Sequence, residues 1–129
     1  MKILGIDFGL KKIGLAIAED GFVQPIKTLG RPSKFVKEVT KICQENEIAL
    51  IVIGISEGVI AKRAKVFAGK LAELAGLPLD FQDETLTTQE AIAKMITIGK
   101  RKKARRELED AYAAACILEE YLAERRGNV

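Results

Sequence analysis

Histidine is absent from this chain of 129 residues. That absence removes Ser-His-Asp triads, Cys-His pairs, nucleases built on an imidazole base and zinc sites with histidine ligands. The sequence also has no GxxxxGK loop, which excludes a P-loop nucleotide site. Aromatic residues are only 5% of the chain, leaving few rings to stack on nucleobases. No stretch approaches the roughly 18 apolar residues of a membrane span. The N-terminus lacks the charged, apolar, small-residue order of a secretory signal. There are two cysteines, Cys43 and Cys116, far apart and each within a helical pattern. They form no CxxC pair and read as free core thiols of a reducing compartment, so the expectation is a cytoplasmic protein with no membrane partner. Chemistry is left to carboxylates, lysines, hydroxyls or a metal held by oxygen.

What is present suits one folded domain over residues 1–129. Hydrophobic residues are 48% and charged residues 30%, enough for a core, with no internal repeat, low-complexity tract or interior linker. Residues 2–7 read as a buried strand, "GLAIAED" as a second and "GFVQPIKTL" as a third. Gly9 sits at the first turn and Gly21 marks the second. Pro25 makes the third an edge strand. A helix follows Ser33 as N-cap, with Phe35, Val39, Ile42 and Cys43 at helical spacing. "ALIVIGI" reads as a central strand covered on both faces. A second helix carries Ile60, Ala64, Phe67, Leu71 and Leu74 on one stripe and stops at Gly76. "LPLDFQDE" is a short strand, and Thr87 with Glu90 forms a capping box for a third helix that Gly99 closes. The last helix runs from about Arg105 to Arg125. This β-β-β-α-β-α-β-α-α order predicts an α/β fold with a mixed sheet.

Acids stand at the ends of these strands. Asp7 ends the first, and Asp83 and Glu84 end the last. In open α/β sheets the ligand crevice lies beyond the carboxyl ends of parallel strands. If these two strands run parallel near the middle of the sheet, their carboxylates converge. In "ELEDAYAAACILEEYL", Asp110 begins a stripe with Ala113, Ala114 and Ile117, which points it inward, whereas Glu109 and Glu119 face outward. The alternative is that Asp110 only complements the dipole of the helix N-terminus, worth about 0.3–1 kcal/mol. A buried charge left without its partner costs about 3–5 kcal/mol. Three converging carboxylates repel one another, and a hard divalent cation such as Mg²⁺, which takes oxygen ligands, resolves the repulsion. Pairs of such ions about 3.5–4 Å apart are the usual device for cleaving phosphodiesters.

Net charge is +3, but its distribution is uneven. "GKRKKARRELED" concentrates Lys100, Arg101, Lys102, Lys103, Arg105 and Arg106, followed by acids. The run is either a solvated helix end or a patch for a phosphate backbone.

The motifs "GIDFGLKKIGLAI", "DETLTT" and "EDAYAAACIL", in that order, resemble the YqgF/RuvX family over nearly the whole chain. Its members are known as Holliday junction resolvases and as nucleases maturing the small-subunit ribosomal RNA precursor. The resemblance implies a ribonuclease H-like fold with a five-stranded sheet of order 3-2-1-4-5, its second strand antiparallel. It implies a metal-dependent endonuclease using Mg²⁺ or Mn²⁺, two ions held by Asp7, Glu84 and Asp110 as catalytic acids. Asp83 is a lesser candidate. Gly9 and Gly14 match the glycines around the first turn. Lys11, with Lys12 beside it, would meet substrate phosphate, as would the basic run from Lys100 to Arg106. Thr87 and Thr88 match a threonine pair. The sequence departs from the family at Leu10, where a hydroxyl residue is common, at Thr85, where an arginine is common, and in the short "GISEGVIAKR" segment.

Three function classes follow. The first is an endonuclease on structured nucleic acid, either a ribosomal RNA precursor at its 5′ end or branched DNA. Resolving a four-way junction needs two symmetric cuts and hence a homodimer, whereas RNA trimming does not, and nothing in the sequence specifies a dimer surface. The second is a non-catalytic RNA-binding module of ribosome assembly. The third is a nucleotide site like that of actin-like ATPases, which "GIDFG" also resembles, although 129 residues leave no room for a second lobe.

Overall fold

The computed structural model describes residues 1–56, 58–83 and 102–127, with side chains from 109 to 125 in the last segment. The helix expected over 87–99, with its Thr87–Glu90 capping box and Gly99, lies outside the described residues, as do Thr85 and Thr88.

Five strands, β1 (Lys2–Phe8), β2 (Ile13–Glu19), β3 (Phe22–Leu29), β4 (Ile48–Ile55) and β5 (Leu79–Asp83), form one sheet of order β3-β2-β1-β4-β5. β2 is antiparallel to β1 and β3, while β1, β4 and β5 run parallel. This is the order that the resemblance implies and the mixed pairing that the sequence of elements predicts. Asp20 and Gly21 both have positive φ, 52° and 84°, which is the primed-turn geometry of a two-residue hairpin between β2 and β3. β3 lies at one edge with Pro25 in it. The pairing register shifts there, with Ala16 opposite Pro25 and Leu15 opposite Lys27. A β-bulge beside a proline fits an edge strand, whose outer side needs no ladder donors.

Two core layers follow from the period-2 alternation of the strands. On one face Leu4, Ile6, Ile13, Leu15, Ile51 and Ile53 pack against α1 (Phe35–Glu45) and α2 (Val59–Ala75). On the other, Ile3, Ala16, Ala18 and Val52 pack against α3 (Lys102–Gly127) through Ala114, Ala115, Ile117, Leu118 and Tyr121. β4 is covered on both faces, which explains its unbroken apolar run.

The structure corrects four sequence expectations. Ser33 does not cap α1: residues Pro32–Lys34 form a single 3-10 turn, and Lys34 precedes the helix without a side-chain cap. The α1 stripe of Phe35, Val39, Ile42 and Cys43 is buried as expected. In α2 the buried stripe is Ala64, Phe67, Ala68 and Leu71. Ile60 and Leu74 are exposed. Gly76 closes α2 in the left-handed conformation, its N–H donating to the Ala72 carbonyl. β1 extends one residue past Asp7. Finally, α3 is already helical at Lys102, before the expected start near Arg105.

Polar contacts across 41 to 45 residues of sequence pin the C-terminal half of α3 to β5. The Tyr121 hydroxyl donates to Asp80 Oδ2 at 2.9 Å, Arg125 pairs with the same oxygen and stacks over the Tyr121 ring at 4.6 Å, and Gln82 Nε2 donates to Glu124 Oε1 at 3.0 Å. Burial, and then the hydrogen bond to Asp80, raise the Tyr121 phenol above its ordinary value. Tyr121→Phe removes one of these bonds and leaves the ion pair, so urea unfolding is expected to show a loss of about 0.5–1.5 kcal/mol.

Candidate active site

Glycine positions decide how close α3 comes to the sheet. A Cβ on Gly5 would lie 2.4 Å from Leu118 Cγ, and a Cβ on Gly14 would lie 1.7 Å from the Asp110 carbonyl oxygen. No side chain fits at either place. With Ala16 and Ala18 on the same face of β2, and Ala111, Ala114 and Ala115 on α3, the helix rests on a floor of residues with little or no side chain. Gly9 is required for a related reason: its Cβ would lie 2.7 Å from the Lys12 carbonyl oxygen across the β1–β2 turn.

That floor places two of the expected acids. Along β1, Leu4 and Ile6 face α1 and α2, while Ile3 and Gly5 face α3. Alternation therefore turns Asp7 toward α3. Asp7 pairs with Gly14 across the antiparallel ladder, and Asp110 lies directly over Gly14. Directly opposed residues in such a ladder sit about 4.5–5.5 Å apart at Cα. Asp7 and Asp110, 103 positions apart in the chain (110 − 7), are thus both immediate neighbours of Gly14. Asp110 is half-buried and Glu109 exposed, as the helical spacing requires. Counting from Lys102, Asp110 is the ninth residue of α3 (110 − 102 + 1). The helix dipole acts within the first turn, so complementing it does not account for Asp110.

The row containing Asp7 runs on through Gly54 of β4 to Gln82 of β5, whose side chain is buried toward α3. Asp83, the last residue of β5, is exposed. Glu84 follows immediately and lies outside the described residues, as do Lys100 and Arg101. Lys102, Lys103, Arg105 and Arg106 belong to the first turns of α3, in a part of the helix described by backbone alone. Lys11 and Lys12 are exposed in the β1–β2 turn, at the same end of the sheet as Asp7. Phe8 packs on Phe67, with ring centroids 5.2 Å apart, and Phe81 is 37% exposed on the edge strand. Phe8 thus packs against the core, whereas Phe81 does not.

One member of this row was not singled out by sequence. Thr28 pairs with Gly14 on the far side from Asp7, and among the described residues its hydroxyl is the one buried side-chain oxygen without a hydrogen-bond partner. Such an orphan costs about 1–3 kcal/mol. The pairing of Thr28 with Gly14 crosses a register shift, and no local signal announces it.

Among the described residues, no group of three or more metal-ligating side chains assembles, and Glu84 is not one of them. Two acidic residues beside one glycine, in a chain with no histidine and with both cysteines buried, are an all-oxygen donor set. That set fits a hard divalent cation and not zinc or copper. The thiols stay out of the chemistry. Burial raises Cys43 to about 11, and burial with Glu119 and Glu120 behind it raises Cys116 to about 11. Among the described residues, no helix is long and apolar enough to cross a membrane.

Comparison with known proteins places this arrangement in context. A family model described as "RuvX: Holliday junction resolvase" matches residues 1–124. A protein of Clostridium botulinum (strain Alaska E43), provisionally named a pre-16S rRNA nuclease, is 37% identical over 132 residues, covering 95% of this chain and 96% of its own. A protein of the same provisional name from Pelotomaculum thermopropionicum is 34% identical over 133 residues, covering 95% and 86%. Among solved structures, Thermus thermophilus RuvC in complex with a Holliday junction superposes with a TM-score of 0.64 at 21% identity, covering 98% of this chain and 97% of that one. The fowlpox virus Holliday junction resolvase gives 0.63 at 12% identity, covering 96% and 99%. The sheet order and flanking helices are therefore those of the RuvC-like, ribonuclease H-like fold.

Two outcomes follow from this geometry. Gly14→Ala is expected to cost about 1–3 kcal/mol or more in urea unfolding, the range for overpacking, because the α3 backbone must move to admit the methyl group. Both thiols sit above their ordinary value of 9.0, so the native state holds protons that the unfolded chain releases. Their contribution to stability is complete below pH 9 and is lost as pH rises toward 11, which unfolding curves at stepped pH would record.

Proposed function

This chain belongs to the RuvX family, and on that premise we propose that it is a single-domain, divalent-metal-dependent endonuclease that trims the 5′ end of the pre-16S ribosomal RNA. The observation that carries the reading is the meeting of Asp7 and Asp110 over Gly14 at the carboxyl end of β1. The relatives' provisional name supports the choice of RNA.

Asp7, Asp110 and Glu84 would hold Mg²⁺ or Mn²⁺, two ions in all. When bound, these ions supply a Lewis acid for the phosphoryl oxygens and an activator for the attacking water. The protein's own residues do the rest. Asp7 and Asp110 supply negative charge from two elements fixed by packing, so their separation does not depend on a loop. Lys11 and Lys12, projecting from the β1–β2 turn, approach the phosphate beside the cut. The run Lys100, Arg101, Lys102, Lys103, Arg105 and Arg106 attracts the flanking backbone. Because these are phosphate contacts, they position the substrate without reading its bases. Two thiols that remain protonated and buried suit the reducing cytoplasm.

A second reading, junction resolution, is favoured by the superposition on the two resolvases. Purified protein incubated with pre-16S fragments and with a four-way DNA junction, in Mn²⁺ and in chelator, separates the readings. Cleavage of RNA in Mn²⁺ alone is expected. Symmetric nicking of the junction would move the assignment to a resolvase. Binding without product on either substrate would leave a non-catalytic assembly factor. Asp7→Asn is expected to abolish cleavage, by at least about a hundredfold, the scale on which a catalytic group acts. Binding in chelator and the urea midpoint should stay within error, and full metal-dependent cleavage by Asp7→Asn would overturn the proposal.

A further inference from the structure

The carboxyl end of β1 serves two faces. Asp7 points to α3, and Phe8, the next residue, points away from it. Beyond Phe8 lies a cleft of about 320 Å³ with Phe8, Leu10 and Phe35 along one side. The other side is a stripe of α2 at i, i+3, i+4 and i+7: Arg63, Val66, Phe67 and Lys70. Its middle is apolar and its two ends are cationic. Seven residues of helix separate Arg63 from Lys70 by about 10.5 Å along the axis. Both cations are exposed, and the exposed Lys62 and Lys65 add positive charge to the same helix.

Volume and charge select the occupant. About 320 Å³ is at the lower limit of small-molecule sites, room for one flat ring system and not for a helix of a partner protein. A flat apolar group with an anion on either side is a nucleotide between its own two phosphates. We propose that this cleft receives one unpaired nucleotide of the substrate strand, its base against Phe8, Leu10 and Val66 and its flanking phosphates on Arg63 and Lys70. The strand then crosses the rim of the sheet between two consecutive residues, with the phosphate to be cut at Asp7 and the extruded base beside Phe8. The requirement for an unpaired nucleotide beside the cut gives the proposed nuclease its preference for structured over fully paired substrate. The inference rests on that nuclease reading only for the source of the nucleotide.

The test uses the full chain in chelator, so that no turnover occurs. The probes are an RNA hairpin with one bulged 2-aminopurine and the same hairpin fully paired. Binding of the bulged hairpin should change the probe's emission. Val66→Asp, and Arg63→Glu with Lys70→Glu, should weaken it by about tenfold or more, the scale of one stacked base, while the paired hairpin changes by less than about twofold. Val66 is 60% exposed, so unchanged thermal unfolding is expected; should Val66→Asp unfold, Leu10→Asp at a 45% exposed position replaces it. Equal weakening of both hairpins, or of neither, overturns the proposal. So does a dimer that Val66→Asp dissolves, since a second copy would then fill the cleft. Cleavage in Mn²⁺ is scored separately: discrimination without cleavage keeps the cleft and ends the nuclease reading, and cleavage without discrimination does the reverse.

Discussion

The contact between the backbone of α3 and Gly14 is the constraint on which the rest of the molecule depends. A carbonyl oxygen of the helix occupies the space a side chain would need. Leu118 uses Gly5 in the same way, and the alanines of β2 and α3 fill the intervals between them. Close approach of a helix to a sheet gives up side-chain burial in exchange for position. Here the position gained is that of Asp110, held by packed backbone and not by a flexible loop. The other end of α3 is fixed independently by Tyr121, Glu124 and Arg125 on β5. Two anchors on different strands leave the helix little freedom to rotate or slide.

Much of this was legible in the sequence, because it is local. Period-2 and period-3.6 patterns gave the strands, the order of the described elements and the inward stripe of α3. Pro25 and Gly21 gave the edge strand and the turn before it. The resemblance named Asp7 and Asp110, and the sheet register with the Gly14 contact shows what brings them together. Other features rest on pairings that no local pattern encodes. Asp80 meets Tyr121 and Arg125 across more than forty residues, and Thr28 meets Gly14 only after a register shift. α3 is already helical at Lys102, ahead of the expected start near Arg105, because a run of like charges carries no apolar stripe to mark it. Ser33 was read as a cap because its type favours that role, yet the chain spends that position in a 3-10 turn. The stripe of Arg63, Val66, Phe67 and Lys70 was visible as spacing, but the apolar wall facing it comes from β1 and α1.

The alternation of a single strand separates the two faces on which the proposed catalysis and the proposed substrate grip rest. Odd-numbered residues at the end of β1 look toward α3 and even-numbered ones toward α1 and α2. Chemistry and substrate grip can therefore occupy opposite sides of one sheet and still be separated by one peptide unit. Leu10, where the resemblance implies a hydroxyl residue, lies on the apolar side of this divide. A departure from the family pattern beside the first acid thus alters the wall of the cleft and leaves the carboxylate pair untouched.

The outer strand β3 carries its own restriction. Pro25 offers no amide hydrogen, and the slipped pairing beside it breaks the regular spacing of exposed donors and acceptors. A foreign strand laid along this border would find a ladder with missing and misplaced rungs. Continuous sheet growth from one molecule into the next is disfavoured on that side, which guards a chain that is 48% hydrophobic against runaway self-assembly during synthesis.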